Sequence, residues 1–273
     1  MDTNNHIEQL QAGRKAMQAT GKSPRQVGYE RTKKALHWIY AWGWSTPSNI
    51  ELLVGGNKSG LATRLVRRGL IKRTRTESGG GHKEVPAYVL TLTNTGVEEV
   101  VRDIAREEDL LPYQADPYRI NQALLRHDNM VQTATIKALL NGDITDYRTP
   151  AQLAEVSKAG VKQPDALWIS QGEGFTHRLA IEIELSPKWN RHLDRTISAY
   201  VNALAGEERR FDQVMFISES PAIIDRYRNA FSPGRKYYFW KKDQQGNWVT
   251  NGSDTVPAEV SERVICQHVQ PRY

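Results

Sequence analysis

Two glutamates sit two residues apart in the otherwise apolar run 179–186, LAIEIELS. Ile181, Ile183 and Leu185 alternate with Glu182 and Glu184, the period of a strand with one buried face. On such a strand both carboxylates emerge side by side. Their repulsion raises a carboxyl pKa unless positive charge lies between them. A third acid precedes them: Asp165 follows Pro164 at the start of a second strand-like run, PDALWIS. The tip QGEG joins the two runs as a hairpin, so Asp165 can approach Glu182. Carboxylates on adjacent strands form a hard oxygen set suited to Mg²⁺ or Mn²⁺. Such an ion would hold the glutamates together, activate a nucleophile and stabilise charge on a phosphodiester.

Further candidates flank this set. Lys188, Arg191 and Arg195 follow at helical spacing and read as a solvated face or as phosphate contacts. Tyr200 has the chemistry of a nucleophile, but Ile197, Val201 and Leu204 around it make it a core tyrosine. His127, with Asp128, stands on a helix-patterned segment, where a histidine is structural as often as functional. The bland reading of Glu182 and Glu184 is the exposed face of an edge strand.

The elements that position these residues read as follows. Residues 1–27 are polar and aperiodic, a mobile arm. A helix begins at about Tyr29 with Ala35, Leu36, Ile39 and Tyr40 on one face, and Gly43 ends it. STPSNIELLVGG reads as a second helix with a Ser or Thr cap and an early Pro. Residues 57–68 read as a third, with Leu61, Leu65 and Val66 inward and Arg64, Arg67 and Arg68 outward; Gly69 breaks it. Two strand-like runs then flank a Gly-rich tip at 74–84. GVEEVVRDIAREEDLL reads as a connecting helix and PYQADP as a linker. The second half reads as a long helix containing His127, a short polar strand, the PDALWIS and glutamate strands, and a helix with a Ser-Pro cap. A buried strand QVMFIS, a helix over 221–231 and a strand KYYFW follow, while the last 18 residues are ambiguous. This order gives a mixed sheet with helices on both faces.

The 273 residues are 39% hydrophobic and 25% charged, as in a soluble globular protein. No apolar run approaches the roughly 18 residues of a membrane span, and the first residues lack the apolar core of a signal peptide. A cytoplasmic protein without membrane insertion is expected. A single cysteine, Cys266, excludes an internal disulfide and a multi-cysteine zinc site, and is expected to be buried and inert. The net charge is +6, and residues 1–112 carry most of it, with 17 Lys and Arg against 12 Asp and Glu. Between 57 and 83 the cations Lys58, Arg64, Arg67, Arg68, Lys72, Arg73, Arg75 and Lys83 face Glu77 alone.

Three helices and a hairpin with a basic tip resemble a winged helix-turn-helix DNA-binding domain over about residues 28–95. The resemblance implies a recognition helix at 57–68 for the major groove and a wing at 74–84 for phosphates. QPDALW…LAIEIEL resembles the PD-(D/E)XK nuclease superfamily, whose motif is Pro-Asp, a spacer, then acid-x-lysine. Here Glu184 takes the lysine position, and Lys188 is a candidate migrated cation. The winged helix, the His127-led segment RHDNMVQTATIKALL, the PD strand, the ExE strand and the Tyr-bearing helix together resemble MOBC-type plasmid relaxases and the related replication-relaxation family. This resemblance covers roughly residues 28–220. It implies an N-terminal winged helix at 28–112 joined to a PD-(D/E)XK restriction-endonuclease-like mixed sheet at 113–273, an α+β and α/β architecture.

It further implies metal-dependent nicking of one strand of double-stranded DNA at a plasmid transfer origin. Asp165, Glu182 and Glu184 would hold the metal, His127 would be a ligand or proton carrier, and accessory mobilisation or coupling proteins would be partners. The histidine-triad site of other relaxases is not implied, and the sequence has no H-x-H pair. Two other readings fit the same motifs: a hydrolytic nuclease of restriction or transposition type, and a plasmid replication or transcription regulator whose nuclease-like domain is inactive.

Overall fold

Ser23 opens the first described helix, α1 (Pro24–Trp42). Its hydroxyl accepts from the Gln26 N–H at 3.3 Å, and the Gln26 side chain accepts from the Ser23 N–H at 2.8 Å. This reciprocal box satisfies two donors that a helix start leaves unpaired, and Pro24 sits where no N–H is needed. The structure is a computed structural model that describes residues 21–56, 59–82, 84–105, 110–154, 162–207 and 209–270. The described residues fall into two compact units. One comprises those of Met1–Gly79 and Ala87–Ile120, the other those of Gly80–Pro86 and Asn121–Tyr273. Among them, no helix is long and apolar enough to cross a membrane.

The first unit holds α1, α2 (Pro47–Leu53), α3 (Leu61–Arg67), the antiparallel strands β1 (Ile71–Arg75) and β2 (Tyr88–Leu92), and α4 (Asn94–Val101). Gly43, at φ 77°, ends α1, and Thr46 caps α2 through the Asn49 N–H. Gly60 has no side chain to cap α3. The Glu51 carboxylate replaces that cap, accepting from Ser59 N–H at 2.7 Å and Leu61 N–H at 3.1 Å. Leu61, Ala62 and Leu65 face the core, while Val66 is 37% exposed. The expectation of an inward Val66 therefore fails, because Ala62 completes the apolar stripe one turn earlier. Residues 112–117, expected as a linker, are tied to this unit through Tyr113. Tyr113 donates to Gly43 O at 3.0 Å, accepts from Leu92 N–H at 2.7 Å and stacks on Tyr40.

A 3₁₀ turn (Pro117–Arg119) lies at the end of the first unit, and a second (Gln122–Leu124) leads in the other unit to α5 (Leu125–Asn141), so the long helix starts later than its sequence pattern implied. There follow β3 (Asp146–Arg148), α6 (Pro150–Ala154), β4 (Ala166–Gly172), β5 (Phe175–Ile183) and α7 (Asn190–Leu204). The chain ends with β6 (Gln213–Ser218), α8 (Pro221–Ala230), β7 (Lys236–Lys242), β8 (Trp248–Thr255), α9 (Ala258–Ser261) and β9 (Val264–His268). Five strands form a mixed sheet in the order β3-β4-β5-β6-β9. β3, β4 and β5 pair antiparallel, whereas β5, β6 and β9 run parallel. KYYFW does not join this sheet. It pairs with β8 in a separate hairpin, and the ambiguous tail supplies the edge strand β9 instead. The cation-rich pattern of β7 suits a half-wet hairpin better than a buried parallel strand. Cys266, on β9, is half-buried, and burial pushes its thiol up to about 11.

β5 lies in the middle of the sheet, and every residue from Ala180 to Glu184 is buried. The edge-strand reading of the glutamates therefore fails. On one face α5 packs, with the Trp168 indole N–H donating to Thr135 at 2.9 Å. On the other, Tyr200 of α7 and Tyr227 of α8 pack on Phe216 of β6, at centroid separations of 5.6 and 4.3 Å.

Gly96, in the first turn of α4, tests the packing of the first unit. A Cβ there would lie 2.0 Å from the Leu70 carbonyl oxygen. Helix propensity alone favours Ala over Gly by about 0.5–1 kcal/mol. Backbone overpacking costs about 1–3 kcal/mol and should win. Gly96→Ala is expected to lower stability in chemical denaturation, and an unchanged or higher midpoint would contradict this packing.

Candidate active site

The β4–β5 pairing brings the acids close together. Asp165 N–H donates to Ile181 O at 2.9 Å, one residue off the Ala166–Ile181 register, and holds Asp165 beside β5, where its charge acts on Glu182. One Asp165 oxygen, Oδ2, also accepts from the Ile183 N–H at 2.8 Å. His127, in the first turn of α5, points Nε2 at the same oxygen, 3.1 Å away, and Nδ1 at Asp128 Oδ1, 2.9 Å away. Burial alone would lower the histidine's pKa. The hydrogen bonds and charges of Asp128 and Asp165 outweigh it and push the group up to about 10. His127 is thus an imidazolium at neutral pH with both ring nitrogens as donors. Burial would raise Asp165, but the His127 contact, the Ile183 N–H and the nearby Lys162 charge hold it below the usual carboxylate range.

Each buried glutamate has its own ammonium and its own phenol. Lys162 Nζ lies 2.6 Å from Glu182 Oε1 and 2.8 Å from Oε2. The Tyr200 hydroxyl donates to Glu182 Oε1. At Glu184, the Tyr227 hydroxyl donates to Oε1 at 2.7 Å, and Lys188 Nζ pairs with the same oxygen. Ser218 Oγ donates to the Glu184 carbonyl at 2.6 Å, fixing the strand end. The two sets differ in what remains uncompensated. Burial, and then the negative charge of Asp165, push Glu182 up to about 7 despite Lys162 and Tyr200.

Asp165 and Glu182, on neighbouring stretches of chain with the charge of Asp165 acting on Glu182, supply hard oxygen donors of the kind that a divalent cation takes. Glu184 is committed to Lys188 and Tyr227. Among the described residues, no group of three or more His, Cys, Asp or Glu side chains is arranged to hold a metal ion. The side-by-side glutamates inferred from strand alternation are both buried, but lysines occupy their oxygens.

The remaining candidates take the following positions. Tyr200 is fully buried, and burial with the charge of Glu182 raises its pKa well above 10, so it is a neutral donor to Glu182. The Ser-Pro cap expected before α7 is a loop, and the helix starts at Asn190, whose φ is 44°. Arg64, Arg67, Arg68, Lys72, Arg73 and Arg75 are all exposed on α3 and β1. Lys58 and Lys83 lie outside the described residues. Arg191 is half-buried against Trp248 and Arg195 is exposed. Sequence reasoning missed Lys162 and Tyr227. Lys162, two residues before the Pro-Asp pair, was the one readable signal. Tyr227 lies on a helix 43 residues after Glu184, and only the fold brings it there.

His127 carries a stability prediction with a defined sign. Its folded pKa of about 10 exceeds the ordinary 6.5, so its contribution is full below about pH 6.5 and is lost as pH rises towards 10. Breaking a largely buried charge pair costs about 3 kcal/mol. With EDTA present, His127→Gln is expected to lower unfolding free energy by about that much at pH 6 and by much less at pH 10. An equal deficit at both pH values would refute the ionised His127–Asp165 pair.

In comparisons with known protein families, curated proteins and solved structures, nothing matches this chain.

Proposed function

We propose that the protein is a metal-dependent, site-specific DNA nickase of the plasmid relaxase kind, a winged helix joined to a PD-(D/E)XK-like domain. The observation that carries this reading is the Asp165–Glu182 pair, close enough for one charge to act on the other, with His127 on Asp165 and Lys162 on Glu182. Mg²⁺ or Mn²⁺, when bound, would supply charge stabilisation at a phosphodiester, held by Asp165 and Glu182. Tyr200 fixes the rotamer of Glu182, as the Ile183 N–H fixes that of Asp165. His127 holds a proton at Nε2 that a leaving oxygen can take. Lys162 supplies the ammonium that the motif lacks where Glu184 replaces lysine, and Lys188 supplies a second one four residues after Glu184. In the first unit, Arg64, Arg67 and Arg68 on α3 and Lys72, Arg73 and Arg75 on β1 are placed to meet DNA bases and phosphates. The DNA would be double-stranded, at a transfer origin.

One observation favours a second reading, a DNA-binding regulator with an inactive nuclease-like domain. Lysine and tyrosine partners already satisfy both glutamates. That reading expects tight duplex binding with no metal dependence.

The test uses a supercoiled plasmid carrying the DNA that flanks this chain's coding sequence, with Mn²⁺ or EDTA. Wild type is expected to nick only with Mn²⁺. Asp165→Asn and Glu182→Gln should lose about 100-fold or more in rate, as removing a transition-state charge contact does, and bind duplex within a few-fold of wild type. Nicking that survives both substitutions would overturn the site. Tight binding with no nicking under any metal would establish the regulator reading.

A further inference from the structure

The hairpin β7–β8 and the adjoining starts of α7 and α8 carry features that the carboxylate site does not use. β8 is exposed along its whole length, yet it bears Trp248, 47% exposed. Tyr238 and Phe239 on β7 are exposed, and Trp189, just before α7, is 56% exposed. A folded protein seldom leaves so many large rings in water without a use for them. The rings are held in place. Tyr237 is buried, and the Trp240 indole N–H donates to Asp194 of α7 at 2.8 Å.

Each of three exposed rings also has a cation against it. The Arg226 guanidinium lies 3.2 Å from the Trp189 centroid, and that of Arg191 lies 4.1 Å from the Trp248 centroid. Lys242 Nζ is 5.6 Å from the Trp248 centroid, and Lys236 Nζ is 5.4 Å from that of Tyr238. Residues 188–195, 225–228 and 235–254 together hold nine Lys and Arg against four Asp and no Glu. Residues 113–273 as a whole hold 20 against 19, so the rest of that segment is net negative and the positive charge is local to this face. A groove of about 820 Å³ is lined by Trp189, Arg226, Arg235, Lys236, Tyr238 and Trp240.

We infer that this face binds a DNA strand with unpaired bases. Flat rings offer stacking platforms to bases of any sequence, guanidinium planes extend the stack, and the cations meet phosphates. A duplex hides its base faces and cannot use the rings. An acidic peptide could use the cations but would leave the tryptophans unpaired. Trp189 directly follows Lys188, whose ammonium pairs with Glu184, so the face begins one residue from the carboxylate site. The inference rests on the DNA reading above and adds the single strand as the ligand of this second surface.

The test is anisotropy with fluorescein-labelled dT12 in EDTA, where cleavage does not enter. Wild type is expected to bind dT12 at least tenfold more tightly than a 12-mer abasic strand of equal charge. Trp189→Ala with Trp248→Ala should weaken dT12 binding at least tenfold, leave binding of a duplex within about twofold, and unfold at the wild-type midpoint. Phe at both positions should restore most of the affinity. Equal affinity for dT12 and the abasic strand, unchanged dT12 binding in the double variant, or tighter binding of rU12 than of dT12 would each overturn the inference. Because binding is read without metal, loss of the nicking reading leaves this result standing, and the reverse also holds.

Discussion

Two carboxylates on the middle strand of a sheet impose the constraint that the second unit is built around. An ionised carboxylate taken out of water without partners is far too costly for a domain of ordinary stability to carry. Glu182 and Glu184 are 2% and 4% exposed, so each must be met by donors and cations. That requirement explains the tyrosine on each of α7 and α8, and the lysines whose stems carry ammonium groups in from half-exposed positions. Phe216, packed between the two tyrosines on the neighbouring strand, keeps both phenols aimed at their carboxylates. Buried ion pairs are weak stabilisers compared with apolar residues of similar volume. Two of them side by side therefore point to a use other than holding the fold.

The compensation is uneven between the two glutamates, and the proposed activity centres on the less compensated one. Glu184 meets an ammonium and a phenol on one oxygen, with its backbone pinned by Ser218. Glu182 faces Asp165, whose charge works against it, so Lys162 serves two acids rather than one. His127 balances Asp165 from the other side, between two carboxylates of its own. This cluster of two acids, an imidazolium and an ammonium is partly open to solvent at His127, Asp165 and Lys162, while the glutamates form its floor. In the proposed reading, substrate recognition would have separate means: exposed cations on α3 and β1 in the first unit, and rings with cations on the β7–β8 hairpin in the second.

Much of this was legible in the sequence because short-range rules govern it. Gly43, Thr46 and Gly69 marked helix ends in the first unit, and the alternation around Glu182 and the PDALWIS run marked a hairpin that brings Asp165 near it. The N-terminal helices with their hairpin and the mixed sheet flanked by helices follow from that pattern. What was not legible depends on long-range placement. Period-two reasoning gives the face of Glu184 but not its partner, and it took the strand for one with a single buried face. A central strand buries both faces, which only strand order decides. That VICQH, in the ambiguous tail, pairs with β6 while KYYFW, which read as a strand, does not is likewise undetermined by local pattern. Lys162 stands visibly near the Pro-Asp pair, but its partner Glu182 lies twenty residues on, and local pattern does not link the two.

The central claim is that burial and the neighbouring Asp165 charge leave Glu182 incompletely compensated, a cost that the fold carries. It is tested most directly by the pH dependence of stability in Glu182→Gln, measured by denaturation with EDTA. Glu182 titrates near 7 in the folded protein, against 4.5 ordinarily. The native state therefore binds this proton more tightly than the unfolded chain, and wild-type stability falls as pH rises from about 4.5 to 7. Glutamine cannot ionise and is spared that loss. The variant should gain on wild type by about 2–3 kcal/mol between pH 5 and pH 8. A gap that stays constant, or a variant that falls further behind at pH 8, would mean that Lys162 and Tyr200 fully compensate Glu182 and would contradict the account.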